Sequence, residues 1–163
     1  MNIELKNIKI YNDLSEETRC FTATLYINGF NKGRVENRGV GGETTFDDIK
    51  YSEISKIDEW CKSNLPKYEY NGEKHEKSFE VYLEEILDEF ENRKWIVSQF
   101  RRNILVVDDT CKSGEYKTWK IQPNWKLQID KVYDKLENLN SLKNPIILNK
   151  LKPIKAYNLM MKR

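Results

Sequence analysis

The chain has 163 residues, of which 39% are hydrophobic and 33% charged, and its 28 basic and 26 acidic side chains leave a formal net charge of +2. Leu, Ile, Val and Phe number 42, about a quarter of the chain and above the roughly 20% below which chains stay disordered, so a core is available without a metal or disulfide staple. The balanced charge does not announce a general nucleic-acid binder, although acidic residues elsewhere can mask a basic patch; no apolar run reaches the ~18 residues of a membrane span, and MNIELKNIKI lacks a signal-peptide core, so a cytoplasmic protein with no membrane partner is expected.

Ile3, Leu5, Ile8 and Ile10 alternate with polar residues as in a strand, and a polar turn follows from Asn12 to Thr18. Phe21, Ala23, Leu25 and Ile27 share one face at period two, with Thr22, Thr24 and Tyr26 on the other. Asn28-Gly29 opens a turn that is expected to close near Gly33, with Arg34 to Arg38 returning as the partner strand of an antiparallel meander. Asp47 or Ser52 is placed to cap a helix running to Asn64 on the face Ile54, Ile57 and Cys61, which Pro66 follows. A Tyr-, Glu- and Lys-rich stretch leads to a long helix over 74–101, with Phe79, Leu83, Ile86, Phe90 and Val97 at helical spacing, acidic residues early and basic residues late. Ile104 to Val107 and Tyr116 to Ile121 read as a second hairpin, and Pro123 starts a helix carrying Trp125, Ile129, Val132, Tyr133, Leu136 and Leu139. After Asn144-Pro145, Ile146 to Leu148 reads as a short strand and the tail beyond Pro153 as a turn of helix. With no repeat or linker, the pattern predicts one α+β domain over 1–163: a β-meander and a second β-hairpin packed with three to four helices.

Cys20, Cys61 and Cys111 are odd in number and widely spaced, as befits free thiols, and His75 is the single histidine, which argues against a His-based triad or multi-histidine metal site. The densest unusual tract is Arg34 to Thr45. Gly39, Gly41 and Gly42 permit positive φ and can aim successive N–H groups into an anion-binding concavity, with Arg34, Arg38, Thr44 and Thr45 beside it. The tract has neither the P-loop nor the dinucleotide order of glycines. Tyr26, Phe30 or Phe46 could stack on a base, and a plain strand-to-helix connection is the alternative reading.

The run Ser15-Glu16-Glu17-Thr18-Arg19-Cys20-Phe21-Thr22-Ala23-Thr24-Leu25-Tyr26-Ile27-Asn28-Gly29, continued by Gly33, Val35, Asn37, Gly39, Gly41 and Gly42, resembles a family of small uncharacterised proteins of bacteriophages and other mobile elements. The resemblance implies no activity and no catalytic residues. It implies a context, a small accessory protein in the host cytoplasm that interferes with a host system, an anti-defence role for example, by binding something.

Two other constellations belong to different classes. Asp108, Asp109, Glu115 and Lys117 follow the D…ExK order of Mg²⁺-dependent nucleases, in which carboxylates hold the metal and lysine assists the attacking water; turn chemistry explains the same residues. Bases and aromatics interleave at Arg93, Lys94, Trp95, Phe100, Arg101 and Arg102 and again at Lys117, Trp119, Lys120, Trp125 and Lys126, as in a strand-binding groove or as Trp packing fringed by snorkelling lysines. Glu84 to Glu91 reads as a solvated helix face or a surface for a basic partner. Taken together, the residues favour a non-catalytic binding protein without a cofactor or resident metal, which sequesters an anionic small molecule such as a nucleotide signal. The alternatives are an inhibitor of a host protein and the Mg²⁺ nuclease; nucleic acid is a less favoured partner, and a homo-oligomer with its pocket between subunits is compatible with the same reading.

Overall fold

The computed structural model describes residues Met1–Lys162. The architecture is α+β, with nine strands, all paired antiparallel, and four α-helices among the described residues. The chain groups into two compact units, Met1–Asp88 and the residues from Glu89 onward. No linker or break in helical periodicity marks this point, because residues on both sides of it belong to one uninterrupted helix, Phe79–Phe100.

The first unit contains a four-stranded meander in the order β1 (Ile3–Ile10), β2 (Phe21–Ile27), β3 (Phe30–Asn37) and β4 (Thr45–Asp47). Phe21, Ala23, Leu25 and Ile27 are buried at alternate positions, as their period requires. The turn between β2 and β3 is shorter than expected. Asn28 and Gly29 both take positive φ (51° and 83°), which makes a two-residue primed turn matched to strand twist, and β3 therefore starts at Phe30. Gly33 lies within β3, at a register shift, with φ of 146°; a Cβ there would collide with the Asp47 carbonyl and the Ile49 side chain.

Helix α1 (Tyr51–Asn64) buries Ile57 and Cys61. Its N-cap is Lys50, with no side-chain cap, because Asp47 belongs to β4 and Ser52 already lies inside the helix. The Tyr-rich stretch forms a hairpin, β5 (Tyr68–Tyr70) and β6 (Glu73–His75), around Asn71-Gly72 at positive φ. Helix α2 (Phe79–Phe100) thus starts five residues later than its periodicity suggests, where the Phe79 N–H donates to Asp58 Oδ1 at 2.8 Å. Phe79, Leu83 and Leu87 join the sheet residues and α1 in one core.

In the second unit, β7 (Asn103–Val107) is flanked by β8 (Lys117–Lys120) and the two-residue β9 (Ile146–Ile147). Leu105 and Val107 pack with Ile96, Leu148, Ala156 and Met160, whereas Ile104 and Val106 pack with Leu136, Leu142 and Ile147. A central strand covered on both faces reads as a continuous apolar run. The segment started by Pro123 is a 3₁₀ helix through Gln128 before it becomes α3 (Ile129–Glu137), and α4 spans Pro153–Met161. No helix among the described residues is long and apolar enough to cross a membrane. The three cysteines are free, and burial, with Asp58 adding to it, pushes the Cys61 thiol up to about 11, far from reactive thiolate chemistry.

Candidate functional site

The glycine-rich tract leaves β3 at Asn37, a position that alternation places inward with Val35. Asn37 is 7% exposed, and its amide organises the loop. Oδ1 accepts the Gly39 N–H (2.9 Å) and the Thr18 hydroxyl (2.8 Å), while Nδ2 donates to the Gly42 carbonyl (2.9 Å). The Gly41 N–H donates to Thr18 Oγ1 at 3.3 Å. Two of the amides that the sequence aims toward an anion are thus directed at the protein's own side chains. A backbone cradle does exist, on the facing turn. The N–H groups of Glu16, Glu17 and Thr18 converge at 2.8, 3.0 and 3.3 Å on the Gly39 carbonyl, which fills the position an anion would take.

The neighbouring charges also differ from the expected arrangement. Arg34 points from β3 to Glu36, 2.6 Å away. Arg38 is exposed and makes no ion pair among the described residues. The Glu17 carboxylate lies against Gly41, where an added Cβ would strike it. Thr45 donates to the Glu36 carbonyl at 3.3 Å, and Thr44 turns toward a cleft on the other side of the loop.

That cleft, about 400 Å³ in volume, is bounded by β4, the first turns of α1 and the start of α2. Phe46 and Phe79 stack at 5.5 Å between centroids with 22° between planes. Tyr51, Ile54 and Asp58 come from one face of α1, at the i, i+3 and i+7 spacing that aligns side chains on a helix. Glu43 and Glu80 complete the rim, and neither makes an ion pair among the described residues. Asp58 is committed to Phe79 and Lys62: burial opposes its ionisation, but the Lys62 ammonium and the Phe79 N–H outweigh that and lower its pKa. A second recess shares Glu80 and extends past Glu16, Glu17, Arg19 and Glu84. Arg19 is held by Glu84 (2.9 Å) and Asp88 (2.5 Å), so this recess is acidic, whereas the aromatic residues line the first cleft alone. Sequence reasoning misses both because their parts lie on elements far apart in the chain, where Thr44, Phe46, Ile54, Phe79 and Glu84 each suit another role.

In the second unit, the D…ExK residues do not surround an open position. Asp108 is fully buried: Oδ1 accepts from the Thr110 N–H and hydroxyl (3.1 and 2.6 Å), and Oδ2 from Lys117 Nζ (2.5 Å) and the Lys143 N–H (3.3 Å). The Lys117 ammonium, with the Thr110 hydroxyl, holds the Asp108 carboxyl well below the usual carboxylate range despite its burial. Asp109 accepts from Asn144 Nδ2 at 2.5 Å, and Glu115 accepts the Lys112 N–H at 2.9 Å within its own turn. No three His, Cys, Asp or Glu side chains come together as a cation site among the described residues. The four residues form a turn lock, the chemistry that their types equally suit.

Comparison of the chain with protein-family models, curated proteins and solved structures finds no match.

Proposed function

We propose that the protein is a non-catalytic binding protein whose first unit captures a basic, lysine- or arginine-bearing segment of a partner protein. One observation carries this reading: Glu43 and Glu80, carboxylates without ion-pair partners among the described residues, rim a cleft walled by Phe46, Phe79 and Tyr51. A lysine or arginine side chain has an apolar stem for such walls and a cationic head for such a rim, and the exposed ring of Tyr51 adds attraction for the head. The continuation past Glu16 and Glu17 suits an extended chain better than a single small cation. An anionic guest at the glycine tract has less support, since the Gly39 and Gly41 amides are engaged and Glu17 covers Gly41.

The test is calorimetric titration with a ten-residue Lys/Arg-rich peptide and its Asp/Glu-substituted counterpart. The basic peptide binds, the acidic one does not, and Glu43→Gln/Glu80→Gln weakens binding about fivefold or more, as two partly exposed ion pairs require. Equal binding by wild type and double variant, or none by either, rejects the cleft as the site.

A further inference from the structure

The net charge of +2 conceals a separation. Residues 1–88 carry 18 acidic against 12 basic side chains, and residues 89–163 carry 8 acidic against 16 basic, so the second unit has a net charge of +8. A surplus of that size within about 75 residues is the electrostatic footprint of a polyanion binder. Among its described residues, ion pairs engage Lys117 and Lys150.

Helix α3 shows how the free charge is sorted. Asp130, Asp134 and Glu137 follow the i, i+4, i+7 stripe, and Glu137 meets Lys150 at 2.7 Å. Lys150 also lies over the Tyr133 ring, 5.6 Å from its centroid, so the acidic stripe has its counter-charge. The other stripe, Lys131 and Lys135, borders a recess of about 190 Å³ with Trp125, Val132, Asn124 and Gln128. It thus presents two ammonium groups one helical turn apart, beside an indole and two side-chain amides. The same connection joins further bases. The Ile121 N–H donates to the Arg102 carbonyl at 2.8 Å and Lys120 pairs with Asn103, so Arg102 and Lys120 share one end of the sheet, immediately before the 3₁₀ segment that carries Trp125.

We infer that the second unit binds single-stranded nucleic acid, with a base against Trp125 and consecutive phosphates on Lys131 and Lys135. A recess of this size admits one planar base, which a duplex keeps stacked and out of reach, and aromatic stacking with basic neighbours is the sequence-tolerant mode of single-strand recognition. The site lies wholly in the second unit and does not depend on the acidic cleft of the first.

The test uses the full chain and a fluorescein-labelled dT12, read by anisotropy and by quenching of tryptophan emission over 50–300 mM salt. Binding is expected at low salt, weakening steeply as salt rises, and Lys131→Gln/Lys135→Gln is expected to bind roughly tenfold more weakly with a salt slope smaller by about 0.7 per lysine removed. Trp125→Leu keeps an apolar side chain on the core and should abolish the quenching, with circular dichroism checking the fold of both variants. Absence of binding at 50 mM salt overturns the proposal, as does wild-type affinity in the double lysine variant. Equal affinity for heparin or duplex DNA, with no Trp125-dependent quenching, overturns it too, by reducing the surface to a charge without a base site.

Discussion

Lys117, from β8, closes over the buried carboxylate of Asp108 at the end of β7, its Nζ 2.5 Å from Oδ2. The lysine that a nuclease would aim at water is thereby the counter-ion of a carboxylate with no solvent exposure. Breaking a buried pair from one side leaves an uncompensated charge and is strongly destabilising.

Lys117→Met is therefore expected to lower Tm by several degrees at pH 7, with a deficit that depends on pH. In the native protein the folded pKa of Asp108 lies below the unfolded value of about 3.9. Its stabilising contribution is complete above that value and is lost as pH falls through the folded pKa. Without the ammonium, burial penalises ionisation, so the gap between variant and wild type should be widest at neutral pH and close toward pH 3. Chemical denaturation at pH 3, 5 and 7 measures it. A gap independent of pH would mean that Lys117 acts through packing alone.

Asn37→Ala tests the loop. It leaves the Gly39 N–H and the Thr18 hydroxyl without their shared acceptor, and a buried donor left unpaired costs about 1–3 kcal/mol. A loss of about 2 kcal/mol is expected, whereas Arg38→Ala, at an exposed side chain, should stay within about 0.5 kcal/mol. Urea denaturation of both distinguishes a loop built around Asn37 from one held by its arginine.

The glycines divide in the same manner. Gly33 has a positive φ and no room for a Cβ beside the Asp47 carbonyl, while nothing lies within 4 Å of the position a Cβ would take at Gly42. Gly33→Ala should cost well over ~1 kcal/mol through strain and displacement of β4. Gly42→Ala should be close to neutral, which a thermal melt of the pair resolves. The reverse order would place the conformational demand in the loop.

These residues show what was legible in the sequence and what was not. Alternation over Phe21 to Ile27 is a local signal, and the strand lies where it predicts. Asn28-Gly29 is equally local, yet reading Gly33 as the end of the same turn hides its contact with Asp47, a residue 14 positions away that belongs to another strand. The second Asn-Gly pair, Asn71-Gly72, carries the same hairpin signal, but the three-residue strands beside it are too short to show a convincing alternation. Leu87 and Ile96, the buried α2 residues absent from the predicted face, follow from packing that periodicity alone does not weight. The acidic cleft was illegible for a similar reason: Glu43, Tyr51 and Glu80 share no motif and meet only when β4, α1 and α2 pack. The charge separation was present in the sequence but cancelled in the total.

Asp58 links cleft and fold. Its Oδ1 accepts the Phe79 N–H at 2.8 Å and its Oδ2 lies 2.6 Å from Lys62 Nζ. Asp58→Ala removes the acceptor at the start of α2 and should cost about 1 kcal/mol, whereas Asp58→Asn keeps an acceptor and should recover most of it at neutral pH. Because the folded pKa of Asp58 is lowered, the wild type carries its contribution in full above the unfolded value of about 3.9 and loses it as pH falls through the folded one. Asparagine does not titrate, so the stability difference between wild type and Asp58→Asn should be constant from pH 7 to 5 and shrink between pH 4 and 2. Parallel urea titrations read both quantities. A difference that grows in acid would mean that Asp58 is destabilised by ionisation, with burial prevailing over Lys62 and the Phe79 N–H.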